Sequence, residues 1–503
     1  MKKTLAIFLM CVLTLSLFVP ASAEIALKEQ KPELNILIYN ISFTPEETVE
    51  YQVVEEVTGY KTHYNVLPSE NASEVLMMTL AGGSDFDMVV IQDPAQFSTL
   101  MSQHALLPLN DYIDAIAPDL WNVISADAWK GVSDEDGNVY AMPFINVLPK
   151  EITSCITVRM DLVKAAGIEE LPSTVSEFYD FCKKLKDFYG DEYIILAGPY
   201  NKGTFGNTYN IPMCITSGFG IYSDWMVDDE GKVIYMTEHK NFKAMIEYLN
   251  KLYAEGILDV DYAINTWSTC DEKMSAGRAI MEIHSRESIN PMSAALYENV
   301  PTVTEDDLTW LPILHSDDGK AVFMENNSYW SYTVVPASAA ENAAEVVNYA
   351  ATKTFNEQYI LIGKEGTHFS FDENGIPTPI LPIFTDERNK SNNFMNVVQA
   401  SEVSNLWAAR LRKSSIMWKL YSTVTLDQTA AETDILVTNP FSFNNKAEYA
   451  SNNGLLASDL NVYLTQLVTG VKTVDDSMAT FMNDWTVNGG EEVRSALTDW
   501  IAQ

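Results

Sequence analysis

The sequence predicts an α/β protein built on a parallel, helix-covered sheet. Three observations carry this reading. A βαβαβ alternation runs from Leu34 to Gln92. Amphipathic helical stretches and apolar strand-like runs continue to alternate through the middle of the chain. No short repeat or low-complexity linker divides the 503 residues into independent beads, which suits lobes that exchange strands. Length allows two or three domains, and 47% apolar residues suffice for ordinary cores.

The first 23 residues stand apart from the fold. Lys2 and Lys3 open a basic start, Leu5 to Val19 is apolar, and Ala21-Ser22-Ala23 fits the small-x-small pattern of a signal peptidase site. The apolar run is too short for a membrane span. Cys11 follows Met10 inside that run instead of closing it after a small residue, so a lipid-attachment site is not expected. The expectation is a signal peptide over 1–23 and a secreted chain of 503 − 23 = 480 residues, extracellular, periplasmic or at the cell surface. Without Lys2 and Lys3 the formal net charge goes from −37 to −39. That surface repels nucleic acid and anionic lipid and suits the solubility of an exported protein.

Leu34 to Ser42 reads as a buried strand. The next helix begins with Thr44 as cap, Pro45 at the first position and Glu47 closing a capping box. Val49, Val53 and Val57 share one face, and Gly59 ends the helix. Tyr60 to Leu67 alternates as a strand. "NASEVLMMTLAGG" repeats the helix grammar, with an Asn71–Glu74 box and a stop at Gly82-Gly83. "FDMVVIQ" is the third strand, and Asp93-Pro94-Ala95-Gln96 starts another helix with Asp93 as cap. Later helices are predicted around Glu177–Leu185, Phe242–Ala254 and Glu341–Phe355, and strands over Ala279–Ile283 and Tyr332–Val335. The C-terminal third carries more helix signals than strand signals.

Hydrolytic chemistry finds little support in the residues. Asp87 opens the third strand and Asp93 closes it, which places their Cα atoms roughly 20 Å apart at about 3.3 Å per residue. A glycosidase pair needs its carboxyls about 5–10 Å apart. No Gly-x-Ser-x-Gly elbow or His-Glu-x-x-His motif appears, and the six histidines are scattered. Asp134, Asp136 and Asn138 have calcium-loop spacing but lack the twelfth-position glutamate, so an acidic hairpin turn is expected. The Gly residues of "AGPYNKGTFG" lack the Lys-Ser/Thr that a phosphate loop needs. Cys155, Cys182, Cys214 and Cys270 are far apart without a CxxC pair, so buried thiols are expected rather than a disulfide or zinc scaffold. No catalytic residue, metal or cofactor is predicted. Ligands of open α/β sheets bind beyond the carboxyl ends of strands. That rule alone selects Tyr39, Asn40 and Ser42 after the first strand and Asp93 after the third.

A series of segments then resembles a known family. They are "MMTLAGGSDFDMVVIQDPAQFSTLMSQHALLPLNDYI", "DEDGNVYAMPF", "VRMDLVKAAGIEELPSTVSEFYDFCKKLK", "LNKLYAEGILDVDY", "MSAGRAIMEI", "IGKEGTHFSFDENG" and "FMNDWTVNGGEEVRSALTDW". In this order they span nearly the whole exported chain. They resemble the extracellular solute-binding proteins of ABC importers, in the large carbohydrate-associated branch (family 1) common in Gram-positive bacteria. His104-Ala105 stands where the pattern usually has a glycine.

The resemblance implies a two-lobed periplasmic-binding-protein-like fold (type II), with a ligand cleft between lobes joined by crossing strands. It implies lobe one at 24–147 plus 330–392 and lobe two at 148–329 plus 393–503. It also implies an oligosaccharide ligand, ABC permease membrane subunits as partners, no enzymatic activity, and a monomer. Sugars present flat apolar faces rimmed by hydroxyls, so aromatic platforms beside polar hydrogen-bonders are the residues to seek. Those candidates are Tyr200, Trp225, Trp267, His284, Arg286, Asn326, Trp330 and Trp407, beside Tyr39, Asn40 and Asp93. For each tryptophan the competing role is core packing. A secreted glycan hydrolase and a binder of a non-sugar solute such as a peptide are the rival functions.

Overall fold

The computed structural model describes residues 25–83, 85–123, 125–145, 154–198, 213–285, 289–311, 313–324, 329–391, 403–426, 435–441, 443–444 and 447–502. The expected signal peptide lies outside them. No described helix is long and apolar enough to cross a membrane.

In chain order the strands used below are β1 (Leu34–Ile38), β2 (Thr62–Val66), β3 (Met88–Ile91), β4 (Met142–Ile145), β5 (Ser154–Arg159), β6 (Ile194–Ala197), β7 (Trp225–Val227), β8 (Val233–Tyr235), β9 (Ala279–Ser285), β10 (Leu308–Leu311), β11 (Phe323–Met324) and β12 (Tyr329–Val334). One sheet has the order β2-β1-β3-β12-β4. There β1 runs parallel to β2 and β3, and β12 antiparallel to β3 and β4. A second sheet has the order β10-β5-β9-β6, with β5 antiparallel to β10 and β9, and β6 parallel to β9. The chain passes from the first sheet to the second between β4 and β5 and returns between β11 and β12. These are the two lobes.

The central strands read as continuous apolar runs because helices cover both faces. All four residues of β3 are buried, whereas β2, at the edge, exposes most of its side chains. The first core joins this sheet to the helix Ala343–Phe355 through Val346, Val347, Tyr349 and Ala350. The second core collects β5, β6 and β9 with the helices Val175–Tyr189, Phe242–Ala254, Ala447–Val468, Val474–Val487 and Gly490–Ile501. The last three supply the helix-rich C-terminal third. The helix Val403–Leu411 divides its loyalty: Leu406 and Ala409 join the first core, while Leu411 joins a third cluster with Met274, Met292 and Trp310 of lobe two. Cys155, Cys182, Cys214 and Cys270 are all buried.

Several helix starts differ from the sequence reading. Pro45–Glu47 forms a separate 3-10 turn, and the α-helix Val49–Thr58 is capped by Thr48, whose hydroxyl accepts from the Tyr51 N–H at 3.2 Å. Thr44 makes no side-chain cap. Val49 is 38% exposed, and the buried face runs through Val53, Val54 and Thr58. Gly59 does end the helix, in the left-handed region at φ 70°. The helix Ala72–Ala81 forms without the expected Asn71 side-chain cap, because Asn71 itself sits at φ 58°. A capping box that the sequence reading did not single out joins Thr174 and Glu177 ahead of Val175–Tyr189.

Candidate functional site

Strand directions locate the faces that meet. Because β1 and β3 are parallel, Ile38 and Ile91 end on the same edge. Both β3 and β4 are antiparallel to β12, so Ile145 and Tyr329 share that edge. The chain leaves the first lobe from it after Ile145 and returns to it at Tyr329. In the second lobe Ser154 opens β5 and pairs with Ser285, which ends β9. β6 runs with β9, and its Ala197 pairs with Glu282. The start of β5 and the ends of β6 and β9 therefore form the edge that faces the crossing. The candidate site is the space bounded by these two edges.

On the first lobe this edge carries Tyr39, Asn40 and Ser42 after β1, Asp93 after β3, and Trp330 in β12. Tyr39 is half-buried, and the Asn40 amide is anchored by donating from Nδ2 to the Leu67 carbonyl at 3.1 Å. Trp330 is 48% exposed, the large open indole of this edge. Its neighbour Tyr329 is fastened instead: the hydroxyl donates to the Ala128 carbonyl, and the ring packs edge-on against Phe443. Asp93 caps the helix Pro94–Ser102, with Oδ1 accepting from the Ala95 N–H at 2.8 Å.

The paired-aspartate reading fails on geometry, as strand length requires. Asp87 lies at the opposite edge and is buried. Its Oδ2 accepts from the Asn35 N–H at 2.8 Å and its Oδ1 from Asn342 Nδ2 at 2.7 Å. It is a structural clasp. Asp134 is likewise spent inside its hairpin turn, accepting from the N–H groups of Asp136 and Asn138, from Asn138 Nδ2 and from the Tyr140 hydroxyl. Desolvation opposes ionisation there, but the bonds from Asn138 and Tyr140 prevail and hold this carboxyl below its ordinary value. Among the described residues no group of His, Cys, Asp and Glu is arranged to hold a metal ion.

On the second lobe Trp267 opens the helix Trp267–Ser275, which turns back through Ala276–Arg278 into β9. A helix followed so tightly by its strand runs against it, so Trp267 stands at the same edge as the end of β9. A hydrogen bond agrees: the neighbouring Asn265 donates from Nδ2 to the carbonyl of Gly198, which follows β6, at 3.2 Å. His284 lies near the end of β9 and pairs by backbone register with Cys155. Tyr200, Arg286 and Asn326 lie outside the described residues. The strands that precede Tyr200 and Arg286, and the one that follows Asn326, all meet the same inter-lobe space.

Two tryptophans are placed differently. Trp225 is 1% exposed in the second core. Its indole N–H donates to Asn453 Oδ1 at 2.8 Å, and its ring packs on Tyr235 and Trp485. The turn after it pairs β7 with β8 and folds the indole inward, so core packing describes Trp225 and ligand contact does not. Trp407 is half-buried on the helix shared between lobes, and its indole packs against the third cluster. Sequence reasoning missed Asn265 and Tyr329, whose roles depend on long-range pairings, and Lys273, which bonds to the nearby loop 259–265; the local signal was the acidic "LDVDYAINT" loop preceding Trp267.

Comparison with known proteins agrees with this architecture. The sequence profile described as "Bacterial extracellular solute-binding protein" matches residues 42–356. An uncharacterised protein encoded in the butB 5′ region of Niallia circulans is 28% identical over 260 residues, covering 51% of this chain and 97% of its own. FusA of Streptococcus pneumoniae, a fructooligosaccharide ABC transporter substrate-binding protein, is 24% identical over 251 residues, covering 45% of this chain and 44% of its own. The structure of FusA in complex with kestose superposes with a TM-score of 0.69 at 15% identity, over 93% of this chain and 98% of that one. An HMO binding solute-binding protein of Bifidobacterium longum infantis gives 0.64 at 17% identity, over 93% and 98%.

Proposed function

This chain belongs to the bacterial extracellular solute-binding protein family, and from that premise we propose that it captures an oligosaccharide between its lobes and delivers it to the membrane subunits of an ABC importer. The observation that supports the reading is the open indole of Trp330 at the crossing edge of one lobe, with the Trp267 turn assigned to the corresponding edge of the other. Aromatic faces take the apolar face of a pyranose or furanose ring, and the amide of Asn40 and the carboxylate of Asp93 offer partners to its hydroxyls. FusA and the Bifidobacterium protein, by their descriptions, bind oligosaccharides on this same fold, which supports the ligand class.

The mechanism is capture by closure. A ligand that touches both edges favours the state in which they approach, and shifts the population toward it. Tyr200, Arg286 and Asn326 belong to this proposed set, as do His284 and Trp407. The chain itself does no chemistry, and it works as an extracellular monomer.

The test is a thermal-shift screen of oligosaccharides with peptides as controls, followed by calorimetry and chromatography of the recovered sugar. Saturable binding of a glycan that is recovered intact is expected. Trp330→Ala should weaken that binding by about 1–3 kcal/mol, the range typical of a buried aromatic anchor. Product formation at catalytic rates would make the protein a hydrolase, and selective binding of peptides would move the ligand class.

A further inference from the structure

We infer that Lys273 is a positioning residue for the ligand-facing edge of the second lobe, holding the end of β6 and the Trp267 turn together as one rigid wall. The inference rests on the reading that this edge faces the ligand. Lys273 lies on the helix Trp267–Ser275 and is 8% exposed. Its ammonium donates to Asp259 Oδ2 at 2.6 Å, Asn265 Oδ1 at 2.8 Å and Asp261 Oδ2 at 3.0 Å. An ammonium has three protons, and this arrangement occupies them all.

The partners carry the constraint to the edge. The Asn265 amide, oriented by Lys273 at its oxygen, donates from Nδ2 both to Asp259 Oδ2 at 2.8 Å and to the Gly198 carbonyl at 3.2 Å. The Asp259 N–H donates to the Leu196 carbonyl at 3.0 Å, and its Oδ1 accepts from the Asp261 N–H at 3.1 Å. Two successive attachment points on the outgoing end of β6, Leu196 and Gly198, are thus tied to the loop that delivers Trp267. The backbone at Gly198 is enclosed as well, since a Cβ there would stand 3.1 Å from the Ile283 side chain and 3.3 Å from that of Leu258.

A buried ion pair is weak evidence for net stability, because desolvation opposes its Coulomb gain. This one differs from a generic core pair in where its hydrogen bonds lead. Every partner of Lys273 lies in the single loop 259–265, and that loop touches the edge strand. An aromatic platform is useful only if its ring plane is held before the ligand arrives, since preorganisation lowers the cost of binding.

Hydrogen exchange on the ligand-free protein tests this without reference to any sugar. In Lys273→Met, exchange over 194–198 and 257–267 should accelerate on the order of tenfold or more, while β5 and β10 of the same sheet stay protected. Asn265→Ala removes the link to Gly198 and leaves the Lys273–Asp259 pair in place. It should loosen 194–198 with little change in melting temperature. Unchanged exchange at 194–198 in both variants overturns the inference, as does an equal rise across the whole lobe, which would mark a general stability role. If Lys273→Met fails to fold, Asn265→Ala decides alone. Failure of the parent protein to bind any glycan would sink the proposed function and leave the exchange result standing.

Discussion

Lys353 shows how far a single side chain can depart from what its letter suggests. It lies on the helix Ala343–Phe355 with no exposed surface, and its Nζ has no hydrogen-bond partner among the described residues. The Tyr349 ring is centred 4.9 Å from that Nζ. Burial pushes this ammonium down to about 7. An unfolded lysine titrates near 10.4. Between those values the unfolded chain binds a proton that the folded chain does not, so stability rises with pH across that window and the burial penalty is complete below it. Lys353→Met should therefore raise the unfolding free energy by about 2 kcal/mol or more at pH 6–7, with the gain shrinking toward pH 10. Urea unfolding at both pH values checks it, and an equal gain at each would contradict the assignment. At this scale the sequence was only half legible. Trp225 and Trp330 are the same residue type and both lie in strands, yet one is sealed on Tyr235 and Trp485 and the other stands open. That difference is decided by the C-terminal helices, which reach Trp225 from more than two hundred residues away through Asn453.

At the scale of elements, the βαβαβ opening was readable because strand and helix periods are strong local signals. The caps were less so. Thr44 and Thr48 both precede plausible starts, and both offer a hydroxyl. The chain uses Thr48 because a 3-10 turn at Pro45–Glu47 intervenes, and the Thr48 hydroxyl donates back to the Pro45 carbonyl at 2.6 Å while accepting from Tyr51. β3 illustrates the two meanings of an aspartate at a strand end. Asp87→Ala would strand the buried Asn35 N–H and the Asn342 amide and should cost about 2–4 kcal/mol of stability with glycan affinity unchanged. Asp93→Ala removes a helix cap worth about 1 kcal/mol and should also weaken glycan binding. Chemical denaturation and calorimetry on the two variants separate the roles; a loss of affinity in Asp87→Ala with normal stability would reverse them.

For the whole molecule, the insertion of β12 between β3 and β4 is what makes two lobes from one chain. No local pattern announces it: the pairing of Tyr332 with Ile91 and Pro143 joins segments that periodicity treats as unrelated. Only the order of family-like segments made it readable. The first core is closely packed beside the crossing. A Cβ on Gly131 would stand 2.0 Å from the Phe443 carbonyl oxygen and 2.3 Å from the Tyr329 hydroxyl, so the helix Ala126–Gly131 approaches the crossing strand where no side chain fits. Gly131→Ala should displace Tyr329 and lower glycan affinity several-fold, which calorimetry reads directly; unimpaired binding would show that this contact does not set the site. On the same helix, Lys130 lies 4.5 Å above the Trp500 ring, and the Trp500 N–H donates to the Pro440 carbonyl at 2.9 Å. The C-terminal helix thereby packs against both cores through Trp500.

Closure around a glycan is the central claim, and small-angle X-ray scattering of the purified protein tests it most directly. With and without a saturating oligosaccharide identified by the binding screen, the radius of gyration should fall and the maximum dimension shorten, reversibly on removal of the sugar. Scattering that stays unchanged at full occupancy, with the sugar demonstrably bound, would contradict capture between the lobes.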